Sequence, residues 1–184
     1  MQPHGQVGGN ENARIFPLVY ALMSRRSEEC YRKLFQDLID FSEEHDVQLN
    51  PQFILTDFEQ AAINAARAEF RNVQNKACHF HLAQSVYRRI QTNGLGTQYN
   101  TDENFNLLVR QNSCACIEIP PAFDQLKVTC PTEADDVIEW FEETYVRGIP
   151  RRSLRHGTVV RSPPLFPPAL WSVVDNMEYM FKIL

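Results

Sequence analysis

The sequence predicts an α/β fold, with a strand–helix layer in the first half of the chain and a mainly helical extension after it. Three observations predict this. Short apolar runs of strand length alternate with helical-period segments across residues 15–92. Capping and stop signals stand at the ends of the helical segments. Beyond Gly96 the alternation ceases, and residues 104–112, 121–128 and 133–146 read as helices.

Taken in order, residues 1–14 are polar and Gly-rich without periodicity, so a disordered N-terminal tail is expected. Residues 15–23 (IFPLVYALM) form a continuous apolar run suited to a buried strand, with Pro17 implying an edge position or a late onset. Ser27 has the character of an N-cap, and Glu28 and Glu29 complement the positive end of the following helix. Tyr31, Leu34, Phe35, Leu38 and Phe41 recur along it at helical spacing. Residues 53–55 (FIL) are the next strand, ending at Thr56 and Asp57. A second helix follows at once, rich in alanines that favour helix and allow close packing. A brief strand at 76–78 precedes a third helix with Ala83, Val86, Tyr87 and Ile90 on one face, closed by Asn93 and Gly94. Residues 147–168 are rich in Arg and Pro and read as an extended linker.

The expected organisation is therefore a tail at 1–14, an α/β region at 15–93, a helical extension at 94–148, and an Arg/Pro-rich linker with a C-terminal segment at 149–184. The formal charge of -5 argues against the whole chain being a freestanding duplex-binding module, though not against a local basic face. No apolar run approaches the roughly 20 residues that span a bilayer, and no secretory signal is read at the start. Five cysteines, an odd number, suggest a reducing compartment.

The sharpest chemical feature is FILTDFEQAAINAA at 53–66, which sets Asp57 at the carboxyl end of a strand where a helix begins. That edge is where α/β sheets place ligands, so Asp57 is a candidate cation or phosphate contact. The alternative is that Asp57 caps the helix. Glu59 is expected in the first helical turn in a structural role. Cys78 and His81 have spacing compatible with one zinc ion, and Cys114 and Cys116 are the nearest candidates to complete four ligands. A buried cysteine and a helix-start histidine are the alternatives. Arg88 and Arg89 are candidate phosphate contacts or simply a solvated face. Arg151, Arg152, Arg155, His156 and Arg161 form a basic segment able to track a nucleic-acid backbone or to serve as a flexible linker. No nucleophile elbow, P-loop or dinucleotide fingerprint is present.

Three ordered blocks resemble the MULE (Mutator-like element) transposase domain: FPLVYALMSRRSEECYRKLFQDL at 16–38, FILTDFEQAAINAARAEF at 53–70 and CHFHLAQSVYRRIQ at 78–91. Downstream, 136–148 and 166–177 are similar to that family's later helix and its Phe-Pro…Trp stretch. The resemblance implies an RNase H-like layer, here incomplete with about three strands. It also implies a nuclear DNA partner, and strand cleavage and transfer by two Mg²⁺ or Mn²⁺ ions held by an Asp-Asp-Glu triad. Such ions sit about 4 Å apart and need several converging carboxylates. By position, Asp57 corresponds to the second member of the triad. Residues 1–14 contain no Asp to serve as the first, and Glu178 is a poor match for the third, while Glu142 and Glu143 read as ordinary helix-face residues. The resemblance thus implies a transposase remnant inactive as this chain, or a domesticated non-catalytic module binding DNA or protein. Neither membrane nor small-molecule substrate is expected. Open sheet edges predict self-association.

Overall fold

In the computed structural model, residues 4–7, 14–103, 105–106 and 116–172 are described. They fall into two compact units that divide between Ala77 and Cys78. The expected boundary at 93 is displaced, and the third helix is placed with the second unit.

The first unit opens with β1 (His4–Val7) and β2 (Arg14–Pro17), an antiparallel pair running from His4↔Pro17 to Val7↔Arg14. For residues 4–7 and 14 this corrects the disordered tail expected at 1–14, since ladder pairing draws on backbone groups that every non-proline residue carries. The buried strand expected over 15–23 is also corrected. It ends at Pro17, and Leu18, Tyr20 and Leu22 are exposed, while Met23 packs on the core. An apolar run becomes a buried strand only where it is paired within a sheet whose faces are covered by other elements, and among the described residues the ladder of β2 with β1 stops at Pro17.

The core of this unit is helix on helix. In α1 (Glu28–Glu44) the Ser27 side chain accepts from the Cys30 amide at 3.4 Å, the cap foreseen from sequence. Its inner face buries Tyr31, Leu34 and Phe35, whereas Phe41 stands out on the solvent side over the His45 ring. On α2 (Gln60–Glu69), Ala62, Ala65 and Ala66 are buried, and side chains this small let the two helices approach closely. Phe35 meets Phe70 edge-on at 5.5 Å. Arg32 pairs with Glu69 at 2.7 Å where α2 ends. Beneath the helices, β3 (Phe53–Thr56) and β4 (Gln74–Ala77) run parallel in register Phe53↔Gln74 to Thr56↔Ala77. With α2 between them they make a βαβ unit, the connection that parallel strands require. Ile54 and Val73 pack against the helical core, and Leu55 points away from it, 43% exposed.

The second unit begins with α3 (His79–Thr92), which buries Leu82, Val86 and Ile90 and leaves Tyr87 largely outside. The stop read at Asn93 and Gly94 is a Schellman closure, with the Gly94 amide on the Gln91 carbonyl at 2.9 Å and the Leu95 amide on Ile90 at 3.0 Å. After the short α4 (Gly96–Thr101) come α5 (Ile119–Thr129) and α6 (Asp135–Phe141), the latter running on as a π-helical turn over Glu142–Val146. The helix expected at 104–112 lies largely outside the described residues. Phe123, Phe141, Tyr145, Phe166 and Trp171 form an aromatic core, and α7 (Pro168–Trp171) closes it. The Trp171 indole donates to the Tyr145 and Phe166 carbonyls at 3.2 and 3.1 Å, satisfying its buried N–H.

Glu142, expected to be an ordinary helix-face residue, is instead buried at 4% exposure. Its carboxylate takes Lys127 at 2.9 Å, Arg147 at 3.1 Å and Arg161 at 3.1 Å. The π turn brings Arg147 into place, for the Glu142 carbonyl accepts from both the Arg147 and Gly148 amides. Burial raises the pKa of the Glu142 carboxyl, but the hydrogen bonds from Lys127 and Arg147 and the charge of Arg161 outweigh it and leave the group below its ordinary 4.5.

The linker expected over 147–168 is a folded hairpin. Strands β5 (Pro150–Ser153) and β6 (Val159–Arg161) pair antiparallel, with a register shift between Pro150 and Arg152. Gly148 makes its base possible: its φ is +81°, and a Cβ there would lie 1.8 Å from the Ser162 carbonyl oxygen. The tip is a turn from Leu154 to Gly157, closed by the Gly157 amide on the Leu154 carbonyl at 2.9 Å. Arg and Pro content alone suggested a linker because the turn residues were read as flexibility rather than as turn chemistry.

Replacing Glu142 by alanine is expected to destabilise the protein by about 2–4 kcal/mol in urea titration. That is somewhat below the cost of stranding a fully buried charge, because the three cations reach solvent. Since the folded pKa is depressed, Glu142 contributes stability above its unfolded value near 4.5. The contribution disappears as pH falls through the lowered folded value. Glu142→Ala should therefore flatten the acid limb of stability measured from pH 5 downward.

Candidate functional site

Asp57 lies immediately beyond β3, exposed, on the rim from which α2 departs. The chain turns sharply there, with the Glu59 amide donating to the Asp57 carbonyl at 2.7 Å. Helix α2 begins only at Gln60, so Glu59 and not Asp57 occupies the N-cap position. This corrects two sequence expectations of position: Asp57 is not the N-cap residue, and Glu59 stands one residue before the first turn of the helix. Nor does the Glu59 side chain cap it. Its Oε2 instead accepts the hydroxyl of Tyr31, reaching over from α1, at 2.9 Å.

Tyr31 is the residue that sequence reasoning treated only as core. Its pKa is pushed up to about 12, first by burial, then by the hydrogen bond and charge of Glu59, with the charge of Asp57 adding to it. Its ring sits in the helical core while its hydroxyl reaches the rim, so packing of α1 on α2 fixes where Glu59 points. A second bridge runs alongside, from Gln60 to Asn64 at 2.7 Å and from Asn64 to Glu28 at 3.1 Å. Helical spacing marks Tyr31 as inward-facing and carries no sign of this polar end.

The remaining candidates belong to the second unit. Cys78 is the N-cap residue of α3 without a side-chain cap bond, and its carbonyl accepts the amides of His81 and Leu82. His81 sits edge-on to Phe80 at 5.5 Å. Among the described residues no three His, Cys, Asp or Glu side chains converge as a metal group. Cys116 is in no disulfide among the described residues, and Cys114 lies outside them. His79, not singled out in the sequence, has a buried Nδ1 with no hydrogen-bond partner, and burial lowers its pKa. Arg88 and Arg89 are exposed on α3, but the Arg89 guanidinium lies 5.6 Å from the centre of the Trp140 ring, a cation–π contact within the unit. Arg161 is drawn into the Glu142 cluster and also donates to the Gly148 carbonyl at 2.8 Å. Arg151, Arg152, Arg155 and His156 remain exposed on the hairpin.

With the rim of β3 so arranged, residues 3–85 match the model of the MULE transposase domain. This stretch is similar to that domain. The match takes in both N-terminal strands, the βαβ unit, Asp57 and the segment from Cys78 to His81. It ends before Arg88 and well before the hairpin. No curated protein and no solved structure matches the chain. The matched segment is α/β, its described strands lying in two separate two-stranded sheets, β1-β2 and β3-β4. No helix among the described residues is long and apolar enough to cross a membrane.

The divalent ions that transposase chemistry implies need a set of converging oxygen ligands. The MULE segment offers Asp57 at the rim, while the carboxylate two residues on, Glu59, is bonded to Tyr31. Among the described residues this donor set does not fit a two-metal centre. Glu178 lies outside the described residues.

Tyr31→Phe removes the hydroxyl without opening a cavity and is expected to cost about 1 kcal/mol. Because the folded tyrosine has a raised pKa, its contribution is present below pH 10 and is lost as pH rises toward about 12. Urea titrations between pH 9 and 12 should show this decline in the parent protein and a shallower one in Tyr31→Phe.

Proposed function

We propose that the chain derives from a Mutator-like DNA transposase whose ancestral chemistry is metal-dependent strand cleavage and transfer in the nucleus, and that it does not perform that chemistry alone. The observation that carries the reading is an acidic side chain, Asp57, exposed at the end of a parallel strand inside the segment that matches the family. In the ancestral RNase H-like arrangement Asp57 is one of three carboxylates gripping Mg²⁺ or Mn²⁺, and its position at the strand end supports that lineage. One carboxylate does not hold two hydrated divalent ions in place, which is why activity is not assigned to the chain.

A second reading is favoured by a specific observation. A folded unit with its own aromatic core and a buried charge cluster lies largely outside the matched segment. Random decay readily destroys such a unit, since one stranded buried charge costs several kcal/mol. Its persistence supports a domesticated, non-catalytic module that binds DNA or a protein partner.

Supercoiled plasmid incubated with the chain and Mn²⁺ or Mg²⁺ is expected to remain supercoiled, with Asp57→Asn indistinguishable from the parent protein. Metal-dependent nicking that disappears in Asp57→Asn would replace this reading with that of an active nuclease.

A further inference from the structure

We propose that the β5–β6 hairpin is a docking element for the sugar-phosphate backbone of duplex nucleic acid, contacting it through Arg151, Arg152 and Arg155. The proposal rests on the reading that nucleic acid is the chain's partner, and it assigns that contact to a segment outside the family match.

Charge along the hairpin is divided in an unusual way. From Gly148 to Ser162 there are four arginines, one histidine and no acidic residue, in a chain whose formal net charge is -5. At the base, Arg161 is neutralised by Glu142, and Arg147 by Glu142 and Asp124. Arg151, Arg152, Arg155 and His156 are exposed, and their side chains have neither an ion pair nor a hydrogen bond among the described residues. Cations that serve folding thus sit where the hairpin joins the core, and the outer ones have no folding task. Solvated surface charge usually comes as mixed signs, whereas a single-sign cluster on a rigid element produces a local field despite the acidic whole.

The shape agrees with a duplex. A two-stranded ribbon is of a size that the major groove, about 12 Å wide, admits. The register shift between Pro150 and Arg152 places an extra residue, Arg151, on one strand, a device that re-aims a side chain locally. Arg155 and His156 occupy the middle of the tip turn. The base is rigidly tied: the Ser162 amide donates to the Ile149 carbonyl at 2.9 Å, and the Leu154 amide to Thr158 at 2.8 Å. Arginine suits the task, its planar fork matching phosphate oxygens. The hairpin carries no Phe, Tyr or Trp, so it lacks the stacking surfaces by which single strands are held.

Fluorescence anisotropy of the full chain with a 20-base-pair duplex of arbitrary sequence, titrated across salt, tests the proposal. Three phosphate contacts give a log–log slope of about -2.7, so affinity should fall about 40-fold between 50 and 200 mM salt. The variant R151A/R152A/R155A should bind about tenfold or more weakly at 50 mM, with most of the slope gone and an unchanged unfolding transition. The charge-preserving R151K/R152K/R155K should keep the slope, and Lys33→Ala, on α1, should behave as the parent. If the triple alanine variant retains affinity and slope, the hairpin assignment is overturned while the nucleic-acid reading stands. Absence of duplex binding at 50 mM salt overturns both, and tighter binding of a single-stranded 20-mer overturns the duplex assignment.

Discussion

The neutralisation of one buried carboxylate governs the second half of this protein. Glu142 sits where α6 passes into a π turn, and its side chain gathers cations from α5, from the turn after the helix and from β6. A charge removed from water must be matched or the segment carrying it does not stay folded. Here the matching partners come from three places, α5, the turn directly after the helix and β6, so satisfying one carboxylate fixes the packing of all three. The hairpin is ordered because its base is part of that solution. Arg161 is held at the carboxylate, Gly148 admits the Ser162 backbone, and the Phe166 amide closes back on the Thr144 carbonyl at 3.0 Å.

The first half obeys a different constraint, the close approach of two helices across an alanine face. Ala62, Ala65 and Ala66 leave room for the rings of Tyr31 and Phe35, and the tyrosine then projects its hydroxyl to the rim of β3. Glu59 is thereby committed to a structural bond, while its neighbour Asp57 stays at the surface. Two acids two residues apart receive opposite assignments from one packing event.

Periodicity and caps were legible wherever local chemistry decides the outcome. Ser27, the helical spacing after it, the βαβ order around Asp57 and the stop at Gly94 could all be read directly. What could not be read depends on partners far along the chain. Residues 18–23 look like a buried strand because apolar content does not reveal whether sheet neighbours exist. Glu142 looks like a surface residue because Lys127 and Arg161 are remote in sequence and Arg147 reaches it only through a π turn that the α-helical spacing does not announce. The polar N-terminal strand carries no hydrophobic alternation, and the hairpin was hidden by prolines and arginines that resemble a flexible tether. At the rim, the position of Asp57 and a structural role for Glu59 were legible, and the Tyr31 hydroxyl that Glu59 accepts was not.

Both tryptophans of the chain, Trp140 and Trp171, lie in the second unit, one beneath the Arg89 guanidinium and the other sealed in the aromatic core. Indole emission therefore reports on one half of the molecule alone. The βαβ half is optically silent except through its tyrosines, whereas circular dichroism in the peptide region averages over both. Melting curves followed by these two signals need not superimpose, and a mismatch between them would measure how independently the two halves come apart.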